Sequence, residues 1–271
     1  MSIHYPRLTQ KSRRLLDQIT LNHGPREKLG HFFLAADKAA RDRGITLTLS
    51  TDFELLREVN KMNLKHWHGL APSFDAAYGG IDGSCGYWIM GHNAAGEIVS
   101  TQAAHFYDMA TETVGDYLRS LRLFYPHPET QKRSGESCNV SSPNADKING
   151  RVVFSGSTWI HPDYRGRDLP KILPRISRAL ALTRWDTDYT ISLVSMALVE
   201  KGVAKAYGYQ RIEPGVEWLG SAVSDRYLGA LVWMPRAELL QDVDRFESEV
   251  GHREHAPANA QDVVRHAPAA N

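Results

Sequence analysis

The stretch Val152–Pro170, VVFSGSTWIHPDYRGRDLP, is the part of the chain around which the rest is read. Its first half is rich in β-branched and aromatic residues and predicts a strand that stops at His161-Pro162. A charged turn, Tyr164-Arg165-Gly166-Arg167, follows, and then Leu169, Ile172, Leu173 and Ile176 recur at helical spacing. A strand that delivers a glycine-containing loop to a helix N-terminus aims unpaired N–H groups and the positive end of the helix dipole at one spot. That spot can hold a phosphate.

The whole chain has 271 residues, 42% hydrophobic and 23% charged, as an ordinary globular protein does. Lys and Arg number 32 against 31 Asp and Glu, so there is no basic field of the kind a nucleic-acid binder carries. The N-terminus MSIHYPRLTQKSRRLL lacks the apolar core of a secretory signal, and no apolar run is long enough to span a bilayer. Cys85 and Cys138 match no metal spacing and read as two reduced thiols. These features predict a cytoplasmic protein with neither nucleic acid nor membrane as a partner; they leave the oligomeric state open.

Outward from the central stretch, residues 1–44 predict two helices separated by Asn22-His23-Gly24-Pro25. Ile45–Ser50 alternates as a half-buried strand, and Thr51-Asp52 caps a helix ending near Trp67. Gly86–Met90 and Glu97–Tyr107 predict a hairpin. Residues 108–150 carry one short helix, Val114–Phe124, and a long polar run that reads as a lid or a mobile insertion. After the central stretch come a strand at Tyr189–Met196, a helix at Ala197–Tyr207, strands at Tyr209–Ile212 and Tyr227–Met234, and a helix at Arg236–Val250. The Ala-, His- and Pro-rich tail, 251–271, predicts disorder. Strands alternating with helices, flanked by hairpins, predict an α/β protein with a mixed sheet.

This order, with Ile160-His161-Pro162-Asp163-Tyr164-Arg165-Gly166 at its centre, resembles the GNAT superfamily of N-acetyltransferases from about Ile45 to Met234. The hairpin containing Glu97-Ile98-Val99 resembles the family's second and third strands. Lys205-Ala206-Tyr207-Gly208-Tyr209 resembles its closing signature, with Tyr in place of Phe. The resemblance implies a mixed, mostly antiparallel sheet with helices on both faces. A helical N-terminal extension (1–44) would precede an acyltransferase domain (45–235) carrying 108–150 as an insertion, followed by the helix 236–250. It also implies acetyl-CoA, or another acyl-CoA, as donor and a small-molecule or peptide amine as acceptor. The strands at 152–161 and 189–196 are then expected to splay and admit the pantetheine arm, and Gly156 to mark a bulge or a close approach.

Trp159, Ile160, Arg165, Gly166, Arg167, Asp168, Leu169 and Lys171 are the implied donor-binding residues. Asp168 and Pro170 stand where the family keeps small residues, and Pro174 falls inside the helical pattern. A later helix start, near Lys171 to Leu173, is the simplest expectation, with Asp168 turned away to cap it. Arg165, Arg167, Lys171, Arg175 and Arg178 put five cations in fourteen residues, which supply side-chain contacts to phosphate or else form a solvated helix face.

Amide formation needs a free amine, a polarised carbonyl and a proton for the leaving thiolate. The positions where the family often carries a tyrosine acid and an asparagine hold Ala204 and Ala197. His105, Ser157 and Tyr207 are the remaining catalytic candidates; His105 also reads as a strand-end histidine and Tyr207 as a core or lining position, while a bulge would decide which face Ser157 takes. His66, Trp67, His68, Phe74 and Tyr78 lie where the family builds its acceptor pocket. They do not read as a metal site, because His66 and His68 have no third ligand. A non-catalytic GNAT-like module that binds CoA, another ligand or a protein stays open beside the enzyme reading.

Overall fold

Neighbouring residues of one strand feed two separate cores. Val153 points into a cluster built from Leu29, Phe32 and Phe33, from Ile172, Leu173 and Ile176, and from Leu239, Val243 and Phe246. Val152 and Phe154 point the other way, into a cluster with Phe53, Leu56, Trp88, Leu118, Phe124 and Trp233. This period-two alternation makes a sheet that needs covering on both faces. A computed structural model describes residues 13–250.

In chain order the strands are β1 (Thr46–Ser50), β2 (Gly86–His92), β3 (Ile98–Met109), β4 (Ser137–Val140), β5 (Gly150–Ile160), β6 (Tyr189–Ser195), β7 (Arg211–Leu219) and β8 (Arg226–Pro235). They form one sheet of order β1-β2-β3-β5-β6-β8-β7-β4, antiparallel throughout except for β5 against β6. The helices are α1 (Arg26–Arg41), α2 (Phe53–Met62), α3 (Val114–Arg119), α4 (Pro128–Gln131), α5 (Leu169–Trp185), α6 (Met196–Glu200), α7 (Val203–Ala206) and α8 (Arg236–Val250). Helices α1, α5 and α8 cover one face, and α2 and α3 the other. The fold is mixed α/β with a mostly antiparallel sheet. No described helix is long and apolar enough to cross a membrane.

Several local expectations change. Ahead of α1, the described residues hold a single 3-10 turn at Leu15–Gln18 instead of a helix. The expected disordered tail at 251–271 lies outside the described residues. Helix α2 stops at Met62, where Asn63 turns its side-chain amide back onto the Val59 carbonyl. The helix expected over 197–207 breaks at Gly202, whose φ of +75° cannot continue an α-helix. Strand β7 runs on to Leu219, well past the expected Ile212.

The segment 108–150 is neither a lid nor a loose insertion. Its first helix ends at Arg119, and Leu118, Leu123, Phe124 and Ile148 are buried in the second core. At about 1.5–3 kcal/mol for each such side chain, swinging these four out costs as much as the ~5–15 kcal/mol that holds a typical domain together. The polar stretch also hides β4, which extends the sheet by pairing with β7. Glu136 is buried there because Tyr125 and Trp218 both donate to its carboxylate.

Helix α5 begins at Leu169, earlier than expected, and takes in both prolines. Pro170 sits in the first turn, where a missing N–H is no loss. The N–H that Pro174 lacks would have met the Pro170 carbonyl, so the defect is confined to the helix end. Asp168 does not cap the helix with its side chain; it adopts the left-handed conformation (φ +58°) and its carboxylate lies 3.1 Å from Lys171 Nζ. Asp tolerates this glycine-like backbone better than most residues do.

Candidate functional site

Strands β5 and β6 lie side by side but pair only at Val152, Val153 and Phe154 with Tyr189, Thr190 and Ile191. Beyond them, among the described residues, the β6-facing edge of β5 from Ser155 to Ile160 has no strand partner. The separation coincides with a bulge. Pairing of β3 with β5 passes from Ala103–Gly156 to Thr101–Trp159, so Ser157 and Thr158 together oppose Gln102. The residue that takes the left-handed backbone is Ser157 (φ +48°), whereas Gly156 has another reason to be glycine. A Cβ there would stand 2.6 Å from the ring of Phe74.

The bulge is held by polar side chains from β3. Thr101 Oγ1 donates to the Ser157 carbonyl at 2.8 Å. Gln102, 1% exposed, donates through Nε2 to Ser155 Oγ at 3.0 Å and the Gly156 carbonyl at 3.2 Å, and its Oε1 accepts from Thr158 Oγ1 at 2.6 Å. Tyr207, carried just past α7, packs half-buried against the first core cluster. Burial pushes its pKa up and keeps it protonated. Ser157 stands in the bulge itself, whereas Tyr207 belongs to the edge of the core beside α7.

His105 joins neither. It pairs with Phe154 at the closed end of the splay and lines a separate cavity of about 330 Å³ with Ser73, Cys85, Tyr107 and Tyr117. Its Nδ1 lies 3.0 Å from both the Ser73 carbonyl and the Tyr107 hydroxyl, and that hydroxyl donates to the Leu123 carbonyl at 2.7 Å. With the Tyr107 proton so engaged, Nδ1 carries the hydrogen. Burial holds the imidazole down to about 4, against the pull of the Ser73 and Gly80 carbonyls towards the protonated form.

At the open end, β5 runs into the loop 161–168. His161 Nδ1 accepts from the Asp163 N–H at 3.3 Å and caps a short turn at Pro162–Tyr164. Arg165 leans on the Ile160 and His66 carbonyls at 3.3 and 3.4 Å. Arg167 donates to the Asp163 carbonyl at 3.0 Å and lies over the Tyr164 ring at 4.3 Å. Both guanidinium groups remain exposed, and Lys171 is half-exposed beside them. Gly166 is left-handed (φ +75°) with open space around its Cα. Among the described residues, the backbone N–H groups of Gly166 and Arg167 reach no backbone acceptor. Exposed cations, N–H groups without a backbone acceptor and the start of a 17-residue helix fit a diphosphate. Leu169 has its side chain in the core, so only its backbone can face a ligand.

Arg175 and Arg178 are not part of this surface. Their side chains are 5% and 1% exposed, and both are paired with Asp242 of α8. The site loses two of its five expected cations to the interior.

The expected acceptor residues divide between places. Trp67 stacks on the buried Trp159 with ring centroids 5.4 Å apart, and Phe74 stacks on Phe154 at 5.2 Å; together they cover the face of β5 opposite α5. His66 and His68 are exposed on the turn that carries Trp67. Tyr78 lies edge-on to Tyr125, further away. A groove of about 850 Å³ touches the splay at Met196 and is otherwise lined mainly from β4, β7 and β8, with Arg119 of α3. Among the described residues no group of three or more His, Cys, Asp or Glu could hold a metal ion. Thr101, Gln102 and Thr158 are the site residues that sequence reasoning missed. Their one signal is a small, polar run, Ser155-Gly156-Ser157-Thr158, inside an otherwise apolar strand.

No family model matches the sequence, and no curated protein matches it. Among solved structures, the chain is similar to aminoglycoside acetyltransferase AAC(6')-Ib in complex with coenzyme A and kanamycin, at 13% identity over 72% of this chain and 98% of that one, with TM-score 0.40. It is also similar to NAA60 of Arabidopsis thaliana in complex with acetyl-CoA, at 11% identity over 71% of this chain and 99% of that one, with TM-score 0.44. A third is spermidine N-acetyltransferase from Vibrio cholerae, at 10% identity, 71% and 95% coverage and TM-score 0.40. At such identities the likeness is one of fold, and the residues of the site stand on their own geometry.

Proposed function

We propose that the chain is an acyl-CoA-dependent N-acyltransferase of GNAT type that moves an acetyl group to a primary amine by direct attack. The observation that carries this reading is the partial pairing of β5 with β6: a parallel pair that parts at a bulge, with a cationic loop and a helix N-terminus at its open end. A strand edge with free backbone groups suits an extended amide-containing arm, and Trp159 and Ile160 supply that backbone. Arg165, Gly166, Arg167 and Lys171 bind the diphosphate, with the backbone at Asp168 and Leu169 beside it.

Tyr207 holds the proton that the leaving sulfur takes. The amine nitrogen bonds to the thioester carbon, the carbon–sulfur bond breaks, and the proton released by the amine restores the phenol. Ser157 shapes the bulge and does not act as a nucleophile. Direct attack is favoured because burial pushes the Cys138 thiol up to about 12 and also raises that of Cys85, the opposite of an activated nucleophile. Trp67 and Phe74 wall the acceptor side, with His66 and His68 at its rim.

Titrating acetyl-CoA against the purified protein, and following free thiol release with a panel of primary amines, tests this reading. Binding with amine-dependent release is the expected result. Absence of binding overturns it. Binding without turnover points to the non-catalytic module, which is the second reading because Ala197 and Ala204 leave two of the family's usual polar positions empty of chemistry.

A further inference from the structure

We infer that Tyr227 and Ser195 determine the specificity for the acceptor: their two hydroxyl oxygens take the two N–H groups of a primary amine on the second-core side of the gap between β5 and β6. This inference rests on the acyltransferase reading given above. Tyr227 belongs to β8 and packs against the second core. Its ring lies along the strand, across Gly229: a Cβ on Gly229 would stand 2.4 Å from Tyr227 Cε1 and 2.7 Å from the phenol oxygen. Gly229 pairs with Ser195, the last residue of β6. Ile191 and Leu193 face the second core and Val194 the first, so alternation turns Ser195 to the side on which Tyr227 lies. Antiparallel partners have Cα atoms about 4.5–5.5 Å apart, which makes the two hydroxyls neighbours.

Both stand where the acceptor must arrive. Continued past Phe154–Ile191, the β5–β6 register brings Ser195 level with Thr158, in the stretch where the two strands no longer pair. Across the gap on the same side are Trp159, stacked on Trp67, and Phe74, packed against Gly156. The turn after Trp67 meets the turn between β7 and β8, since a Cβ on Gly69 would stand 3.5 Å from Val223 Cγ1. Among the described residues, neither the Tyr227 hydroxyl nor that of Ser195 makes a hydrogen bond, and Ser195 does not cap α6 with its side chain. Burial pushes the phenol pKa up, so Tyr227 is neutral and its lone pairs stay available to a donor. A free primary amine has two N–H groups and one lone pair. With the N–H groups on the two oxygens, the lone pair is left for the thioester carbon. Tyr227 gives up no proton: the nitrogen–carbon bond forms, the carbon–sulfur bond breaks, and the proton moves by way of Tyr207 as set out above. A secondary amine has one N–H and leaves one of the oxygens unmet.

The test uses the full chain, acetyl-CoA, the primary amine that supports fastest thiol release and the N-methyl derivative of that amine. The parent should prefer the primary amine in kcat/KM by about tenfold or more. Tyr227→Phe keeps the ring and removes one oxygen. It should lower kcat/KM for the primary amine about 3–10-fold, the worth of one hydrogen bond, and barely change the N-methyl amine, so that the preference shrinks. Ser195→Ala, which also serves if the Tyr227 variant does not fold, should act in the same way. The backbone at Gly229 is not left-handed and admits alanine, so Gly229→Ala should push the ring aside and give the same loss with the hydroxyl still present. Acetyl-CoA affinity should stay within about twofold in all three, since the phosphate loop is untouched. A preference in Tyr227→Phe equal to the parent's, or a fall in acetyl-CoA affinity that matches the fall in kcat/KM, overturns the inference and leaves the acyltransferase reading standing. A parent protein that does not bind acetyl-CoA, or releases no thiol with any amine, overturns the acyltransferase reading itself, and this inference with it.

Discussion

Five cations stand within fourteen residues at the start of α5, and the fold puts them to two opposite uses. Arg165, Arg167 and Lys171 stay at the surface, held by backbone carbonyls, a tyrosine ring and one carboxylate. Arg175 and Arg178 turn inward onto Asp242, where Arg175 Nε and Nη2 make a two-point contact at 3.0 and 2.9 Å and Arg178 Nη2 adds a third at 2.9 Å. Gly208 completes the inner group: its φ is +93°, and a Cβ would stand 2.9 Å from both Arg178 and Asp242. The Tyr209 ring lies 4.8 Å from the Arg178 guanidinium. The Gly208-Tyr209 pair thus packs around a buried ion cluster. A surface cation can bind a ligand because water already solvates it, whereas a buried one is committed to its partner. Charge density in sequence does not distinguish the two.

The sharpest way to break this division is Asp242→Ala, which leaves the Arg178 guanidinium buried without a carboxylate partner and Arg175 with Glu249 alone. Removing one partner of a buried pair costs about 3–5 kcal/mol; a fall in thermal midpoint of roughly 10 °C is expected in a chain of this size. Unchanged melting would place Asp242 outside the core.

His105 sharpens the comparison next, as a buried titratable group outside the cluster. Its folded pKa, about 4, lies below the ordinary value of 6.5, so the unfolded chain binds the extra proton between those values. Its contribution to stability is complete above pH 6.5 and is lost as pH falls to about 4, on the order of 3 kcal/mol. Denaturant unfolding across this window should show the slope, and His105→Gln should flatten it; a slope that survives substitution assigns it to another group.

On the surface side, Arg165→Glu with Arg167→Glu should weaken acetyl-CoA binding by about 10–100-fold in the manner of lost charge-assisted bonds while changing stability by no more than about 0.5 kcal/mol per site. Added salt should weaken the parent's binding and narrow that gap. A loss of melting temperature comparable with that of Asp242→Ala would erase the distinction between the halves. The smallest effect is expected for Asp168→Gly. It removes a carboxylate beside the loop and relieves a left-handed residue worth about 1–2 kcal/mol, so acetyl-CoA affinity should rise a few-fold by titration calorimetry, and a weaker affinity would make Asp168 part of the binding surface.

Much of the architecture was readable because its signals are local. Strand alternation at Ile45–Ser50, the helical stripe of Leu239, Val243 and Phe246, and the strand-loop-helix junction at 152–176 each depend on residues a few positions apart. The hairpin β2–β3 and helix α8 follow from the same short-range patterns. Strand β4 was hidden because it is only four residues long and its burial comes from β7, about 80 residues further on. The 108–150 segment looked loose because its buried polar group, Glu136, is satisfied by Tyr125 and Trp218, whose hydroxyl and indole N–H reach it only in the folded sheet.

By itself, then, the sequence determined that a strand ends at His161-Pro162, that a cationic glycine loop follows it, and that a helix begins there. Only the tertiary structure decided that the bulge falls at Ser157, that Gly156 makes room for Phe74, and that His105 lies away from the splay. It also chose which arginines face water, since Asp242 lies 64 residues beyond Arg178. Periodicity fixes which face of an element is apolar. Which charge loses its hydration depends on the group that another element brings against it, and that is set by packing.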